Sequence, residues 1–239
     1  MKVLKVTLVT LLVLVIVAAV GVGAYVGIKR VRTDQRQSQL EPFYTAPNPL
    51  PAGNPGDLIR NEPLTGKFDV ADATAYRILY RTENPDGTAR VSSGMAFIPT
   101  APAPPGGRKI ISWAHPTVGM GEACAPSRSA TPTGLLDWLP AMIKQGWIVT
   151  ATDYAGLGTA GTEYYLVGQA EAHDVINAVR AARQLPNADA GTAYGVFGHS
   201  QGGHAAMWTG TVAPGYAPEL QLVGVAGAAP AAPLRELVD

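Results

Sequence analysis

The hydrophobic pattern divides the chain into an apolar amino terminus, a polar and proline-rich stretch, and a long region of alternating segments. Residues Thr7 to Ile28 form 22 consecutive positions without a charge, and lysines and arginines flank them on both sides. A helix that rises about 1.5 Å per residue can cross the roughly 30 Å apolar core of a bilayer with this many residues. The pattern therefore predicts a transmembrane helix or a signal sequence within residues 1–28.

A membrane anchor and a cleavable signal peptide both fit this segment. Val22-Gly23-Ala24 offers small residues for cleavage, but the apolar run is long and basic residues follow it directly. We favour an uncleaved anchor through residues 7–28 that holds an exported protein at the cell surface. Secretion after signal cleavage is the alternative, and positive charge on both sides leaves the membrane orientation open.

Residues 29–55 are predicted to form a linker. Its first part is polar, at residues 33–39, and its second part carries prolines at positions 42, 47, 49, 51 and 55. Proline at this density favours an extended, semi-rigid chain. The folded domain is accordingly predicted to occupy residues 56–239.

Strands and helices are predicted to alternate within this domain. An antiparallel hairpin comes first, at residues 76–82 and 90–98, joined through Asn84-Pro85-Asp86-Gly87. Later apolar strands are predicted at 110–114, 147–152, 193–197 and 222–226, with helices at 134–145, 170–184 and 201–209. Pro140 is expected to kink the first of these helices or delay its start. Strands separated by crossover helices indicate an α/β fold with a mainly parallel sheet.

Composition excludes several classes of function. The chain has 18 basic and 18 acidic residues and no basic run, which argues against a nucleic-acid partner. Cys124 is the single cysteine, so no disulfide can form within the chain. Four scattered histidines and one cysteine provide no metal-ligand spacing, and no dinucleotide-binding glycine pattern is present. No cofactor site is therefore indicated.

The most informative motif is Gly-x-Ser-x-Gly at residues 198–202. An apolar strand precedes it and a helix follows, as in a nucleophile elbow, where a sharp turn presents a serine hydroxyl above the sheet. The glycine and serine content gives only about 0.09 accidental matches in a chain of this length. Ser200 is therefore predicted to be a nucleophile, with Gly198 and Gly202 as the small residues that let strand and helix pass closely.

The rest of a catalytic triad is not evident. In the α/β-hydrolases, where nucleophile elbows of this kind occur, an acid and then a histidine follow the nucleophile along the chain. The 39 residues after Ser200 offer only His204, Glu219, Glu236 and Asp239 as candidates. His204 lies on the helix that leaves the elbow and does not easily reach back to the Ser200 hydroxyl. We therefore expect an incomplete triad, in a domain truncated after the strand that follows the nucleophile helix.

Further motifs occur in a fixed order along the chain. They are Phe43-Tyr44 with residues 55–60, then residues 112–115, 124–127, 152–159 and 165–168, then Glu171-Ala172, and last the elbow at 198–203. Together they resemble the secretory lipases of the α/β-hydrolase fold, known from fungi and actinobacteria. The resemblance covers roughly residues 42–239 and corresponds to the amino-terminal part of such an enzyme.

The resemblance implies hydrolysis of fatty acyl esters, including triacylglycerols, without a cofactor. Ser200 would attack the ester carbonyl to form an acyl-enzyme. The oxyanion would be held by the Gln201 N–H and by a second N–H from the loop after the strand that contains Trp113. Thr117 is the candidate for this second donor because Pro116 has no N–H, and His115 is the less favoured choice.

The remaining polar candidates are expected to be structural. The resemblance implies that Asp153, which precedes Ser200, braces the Gly156–Gly158 turn. His204 is expected to pack within its helix. His173 and Asp174 can simply be solvated on a helix surface.

Three functions fit these observations to different degrees. A serine lipase or esterase is favoured, with doubtful activity for this chain alone. A non-catalytic lipase-derived remnant or an ester-binding module is the alternative, and a separate carboxy-terminal fragment is a conceivable partner. Another serine hydrolase, such as a peptidase, would share the elbow but not the flanking motifs.

Overall fold

The computed structural model describes residues 2–129 and 134–232. Helix α1 spans Lys2–Tyr44. The chain divides into two compact units, Met1–Pro42 and Phe43–Asp239. Among the described residues, the α1 region is the one helix long and apolar enough to cross a membrane. A signal sequence near the amino terminus can also be long and apolar enough to meet this criterion.

Helix α1 continues through much of the predicted linker. Residues 33–39 are polar, but none of them is a proline or glycine, so their backbone hydrogen bonds can extend the helix. Proline first appears at Pro42, within the last turn of α1. The structure thus divides the chain at residues 42 and 43, whereas the predicted boundaries lie at residues 28 and 55.

Seven strands form one mixed sheet among the described residues. They are β1 (Leu58–Pro63), β2 (Ala73–Glu83), β3 (Ala89–Pro99), β4 (Arg108–Ala114), β5 (Ile148–Thr152), β6 (Ala190–His199) and β7 (Gln221–Ala228). Their order in the sheet is β1-β2-β3-β5-β4-β6-β7. The pairs β1–β2, β2–β3 and β3–β5 are antiparallel, while β5, β4, β6 and β7 run parallel. The predicted α/β architecture is confirmed, and β1 is an addition to the predicted strands.

The crossover helices lie between the parallel strands. They are α2 (Leu139–Lys144), α3 (Gly168–Ala182) and α4 (Gln201–Tyr216). Helix α2 is shorter than predicted because Pro140 occupies its first turn, where the missing N–H costs no helical hydrogen bond. Helix α4 extends beyond the predicted end at residue 209.

Two apolar clusters cover the two faces of the sheet. Met95 and Phe97 belong to one cluster, with Trp113, while Ala96 and Ile98 belong to the other, with the buried side of α3. This alternation follows from the two-residue period of a strand. Because β4, β5 and β6 run parallel, their carboxyl ends meet at one edge of the sheet. The loops that leave these ends carry the candidate site.

Candidate active site

Ser200 occupies a strained turn between β6 and α4. Its backbone angles are φ 55° and ψ −117°, a conformation that non-glycine residues rarely adopt. Its N–H donates to the Ala228 carbonyl at 2.9 Å, and its own carbonyl accepts from the His204 N–H at 3.0 Å. The neighbouring strand and the first turn of α4 thus hold the turn in place. The Ser200 hydroxyl makes no hydrogen bond to any residue that the structure describes.

The two glycines that flank Ser200 are required by close backbone contacts. A Cβ atom at Gly198 would collide with the carbonyl group of Gly202, and one at Gly202 would collide with the carbonyl group of Ala114. Strand β6, helix α4 and the end of β4 therefore pass within backbone contact of one another. This geometry is that of a nucleophile elbow.

The loop after β4 begins directly beside the elbow. Ala114, the last residue of β4, pairs with Gly198, and Thr117 follows three residues later. The Thr117 hydroxyl lies 2.9 Å from the Tyr165 hydroxyl. His115 is buried, with Nδ1 2.7 Å from the Pro116 carbonyl oxygen and Nε2 3.2 Å from the Asp153 carbonyl oxygen. His115 therefore braces this loop through its ring.

A buried polar network surrounds the first turn of α4. The Gln201 side-chain amide donates to Glu163 Oε1 at 2.9 Å and to Glu171 Oε1 at 3.0 Å. His204 Nδ1 lies 2.8 Å from Glu171 Oε2, and the Leu166 N–H donates to Glu171 Oε1 at 3.0 Å. Gln201 and Glu171 are each 2% exposed. The network links the residue after the nucleophile to α3 and to the segment before it.

The two carboxylates of this network share one amide group. Burial raises the pKa of the Glu163 carboxyl, and the nearby Glu171 carboxylate raises it further, while the Gln201 hydrogen bond lowers it. Glu163 Oε2 is buried and has no hydrogen-bond partner among the described residues. The sequence pattern assigns no role to Glu163 or Glu171, because these residues lie 38 and 30 positions from Gln201, which they contact.

Among the described residues, no histidine ring hydrogen-bonds to the Ser200 hydroxyl. His204 contacts Glu171, as expected for a histidine packed within its helix. His173 stacks on Tyr216 with ring centroids 3.9 Å apart, and the His199 ring makes no hydrogen bond to any described residue. Glu219 binds Arg180 at 2.7 Å, and Glu236 and Asp239 lie outside the described residues.

Other polar residues prove to be structural in ways the sequence did not indicate. Asp153 is fully buried, and its carboxylate accepts from Ser93 and Ser127, beyond the predicted bracing of the Gly156–Gly158 turn. The expectation that His173 and Asp174 are solvated is wrong, because they are 3% and 4% exposed. Asp174 instead accepts from the Thr82 hydroxyl and the Ala155 N–H.

No metal site accompanies this geometry in the described part of the chain. Within residues 2–129 and 134–232, no group of three or more His, Cys, Asp or Glu side chains could hold a metal ion. The elbow geometry can support attack by a serine hydroxyl, with backbone N–H groups as the donors for a developing negative charge.

The sequence of the chain is similar to those of known lipases. Residues 134–239 match the model of the secretory lipase family. The chain is similar to the secretory lipases. It is 29% identical to "Lipase A" of Moesziomyces aphidis, over 77% of this chain and 41% of that protein. It is 28% identical to a "Probable inactive lipase" of Mycobacterium tuberculosis, over 77% of this chain and 44% of that one.

A solved lipase structure has the same fold. The X-ray structure of Candida antarctica lipase A in its closed state superposes with a TM-score of 0.65 at 25% sequence identity. The match covers 78% of this chain and 45% of that lipase. The predicted α/β-hydrolase fold is confirmed, and the chain spans less than half the length of each of these three proteins.

Proposed function

We propose that this chain carries the nucleophile of a serine hydrolase for carboxylic esters. The observation that supports this most strongly is the strained backbone of Ser200 between two glycines that no larger residue could replace. Ser200 Oγ attacks the ester carbonyl carbon while a general base takes the hydroxyl proton; the carbonyl C–O bond to the alcohol then breaks, the alcohol leaves with that proton, and an acyl-enzyme remains. The N–H groups of Gln201 and Thr117 hold the oxyanion that forms during attack.

The proposed substrates are fatty acyl esters. The curated relatives include proteins named "Lipase A" and "Secreted triacylglycerol lipase" from several fungi. Carboxylic ester hydrolysis by this family needs a nucleophile, an oxyanion site and a general base, and no cofactor. Because the chain spans less than half of these relatives, their substrates apply to it as a proposal.

We further propose that this chain by itself lacks the general base. The rings of His115, His173 and His204 hydrogen-bond to other groups, and the His199 ring has no hydrogen bond to Ser200 among the described residues, so none is placed to take the Ser200 proton. An acid and a histidine from outside residues 1–239 would complete the triad. A non-catalytic remnant or an ester-binding module is the second candidate, favoured by the relative named "Probable inactive lipase".

The proposed location is outside the cytoplasm, on the membrane that α1 crosses. The uncharged positions 7–28 match the hydrocarbon thickness of a bilayer, and the side chains of Leu14 and Val20 are more than 60% exposed. Several relatives are named as secreted lipases, consistent with export. Cleavage of the helix as a signal sequence is the alternative, and amino-terminal sequencing of the mature protein distinguishes the two.

Imidazole in solution can replace the missing base and so test the proposal. The full chain in nonionic detergent should hydrolyse p-nitrophenyl butyrate no faster than its Ser200→Ala variant. With excess imidazole, the parent should exceed the variant by about tenfold or more, since general base catalysis contributes at least this much. Equal rates for parent and variant at every imidazole concentration would favour the non-catalytic alternative.

A further inference from the structure

One short segment contacts both residues assigned to the oxyanion site. Residues 163–166 lie between the turns that follow β5 and the start of α3. The Tyr165 hydroxyl lies 2.9 Å from the Thr117 hydroxyl, and Glu163 Oε1 accepts from the Gln201 side-chain amide at 2.9 Å. Glu163 and Tyr165 are two residues apart on this segment. Glu163 thus reaches the first turn of α4, and Tyr165 reaches the loop after β4.

The segment itself is fixed at its far end. Leu166 has a positive φ of 56°, which is unusual for a leucine, and its N–H donates to Glu171 Oε1 at 3.0 Å. Glu171 is buried on α3 and also binds Gln201. Because α3 packs against α4, the segment has a rigid support from which it can hold the more exposed Thr117 loop.

The two contacts differ in their surroundings. The Glu163–Gln201 contact is buried, whereas Tyr165 is 36% exposed and its contact with Thr117 is at the surface. The side chain of Gln201, whose backbone N–H is one proposed donor, is therefore held by two buried hydrogen bonds. The side chain of Thr117, whose backbone N–H is the other proposed donor, makes a hydroxyl–hydroxyl contact at the surface, and His115 braces the same loop.

We infer that Glu163 and Tyr165 are positioning residues that set the spacing of the two oxyanion donors. This inference rests on the proposed function, which assigns Gln201 and Thr117 as donors. Neither positioning residue needs to touch the reacting atoms. Oxyanion donors act only when they lie within about 2.7–3.1 Å of the developing charge, so a small shift of the Thr117 loop weakens transition-state binding. Substrate binding in the ground state is left unchanged.

Adjacent tyrosines provide a matched test of this role. Tyr164 and Tyr165 are similarly exposed, at 40% and 36%, but Tyr164 packs on Arg90 and has no contact with a proposed donor. Tyr165→Phe should lower the imidazole-supported, Ser200-dependent kcat for p-nitrophenyl butyrate about fivefold to tenfold, with KM unchanged. Tyr164→Phe should leave both constants within about twofold of the parent.

A double variant separates this contact from a general loss of structure. Thr117→Val removes the same contact from the other side while keeping the Thr117 backbone N–H. Thr117→Val, Tyr165→Phe and their combination should therefore lower kcat by the same factor. The inference would be overturned if kcat of the double variant fell by the product of the two single-variant factors. It would also be overturned if kcat of Tyr165→Phe equalled that of the parent.

Hydrogen exchange tests the same contact without any catalysis. Tyr165→Phe should speed amide exchange in residues 115–120, and Tyr164→Phe should not. A parent chain with no Ser200-dependent rate would count against the proposed function, and exchange alone would then decide the positioning role. Unchanged exchange in Tyr165→Phe contradicts the inference whatever the activity of the parent.

Discussion

Asp153 and Glu171 are both buried carboxylates beside the candidate active site, but their partners differ in kind. Asp153 accepts from the hydroxyl groups of Ser93 and Ser127 and from the Ser127 N–H. Glu171 accepts from the amide side chain of Gln201 and pairs with the imidazole of His204. The first set joins the end of β5 to β3 and to the turn at residues 126–128, while the second set joins α3 to the elbow.

The difference shows that burial of a carboxylate alone does not identify a functional group. Burial raises the pKa of Asp153, and its serine hydrogen bonds oppose that shift, yet its partners are all scaffold residues. Glu171 lies among residues that contact the proposed nucleophile turn. Changes at Asp153 should therefore act mainly on folding, and changes at Glu171 mainly on the site.

The largest expected effect comes from Asp153→Ala. Loss of the carboxylate leaves the hydroxyls of Ser93 and Ser127 and the Ser127 N–H without their acceptor, at about 1–3 kcal/mol for each buried donor. We expect the free energy of unfolding to fall by about 4 kcal/mol, measured by urea titration with tryptophan fluorescence. Asp153→Asn, which keeps one acceptor oxygen, should lose about half as much. An unchanged urea midpoint for Asp153→Ala would contradict the scaffold role.

Asp174 extends this scaffold side of the comparison and predicts a pH dependence. Burial raises the pKa of its carboxyl to about 6. Between about pH 4 and 6 the folded chain therefore holds a proton that the unfolded chain has released, so stability is lost as pH rises through this range. A pKa shift of this size corresponds to a change of about 3 kcal/mol in the free energy of unfolding.

A comparison of variants isolates this contribution. Asp174→Asn lacks the titrating group, so its stability relative to the parent should improve by about 3 kcal/mol between pH 4 and pH 7. Urea midpoints at several pH values give this difference directly. A constant difference between the two proteins across this range would show that Asp174 titrates normally.

The smallest effect is expected for Glu171→Gln. The new amide keeps an oxygen for the Leu166 N–H and for Gln201, and its NH₂ can donate to His204 if that ring changes tautomer. The free energy of unfolding should change by no more than about 1 kcal/mol. Urea titration checks this, and a loss as large as that of Asp153→Ala would remove the distinction between the two carboxylates.

Local patterns predicted most of the fold. The hairpin of β2 and β3, the four parallel strands and the elbow each have a strong local signal, namely an apolar run or a glycine pair at a fixed spacing. Strand β1 lacks such a signal, because residues 58–63 mix two apolar with two charged residues and end in Pro63. Helix α1 exceeds its prediction because polarity alone does not end a helix.

The candidate site was only partly predictable for a different reason. Ser200, Gly198 and Gly202 lie within one motif, so their spacing carries the information. The contacts of Gln201 with Glu163 and of Thr117 with Tyr165 join residues 38 and 48 positions apart. No helical or strand period links such positions, and only the packing of the sheet edge brings them together.

The central claim is that Ser200 is a nucleophile held ready by its turn, and covalent labelling tests it most directly. The full chain is treated with p-nitrophenyl butyrate and imidazole, quenched in acid and analysed by peptide mass spectrometry. A butyryl group on Ser200 of the folded chain, absent from the urea-unfolded chain, is the predicted result. Label spread over surface lysines with none on Ser200 would contradict the claim.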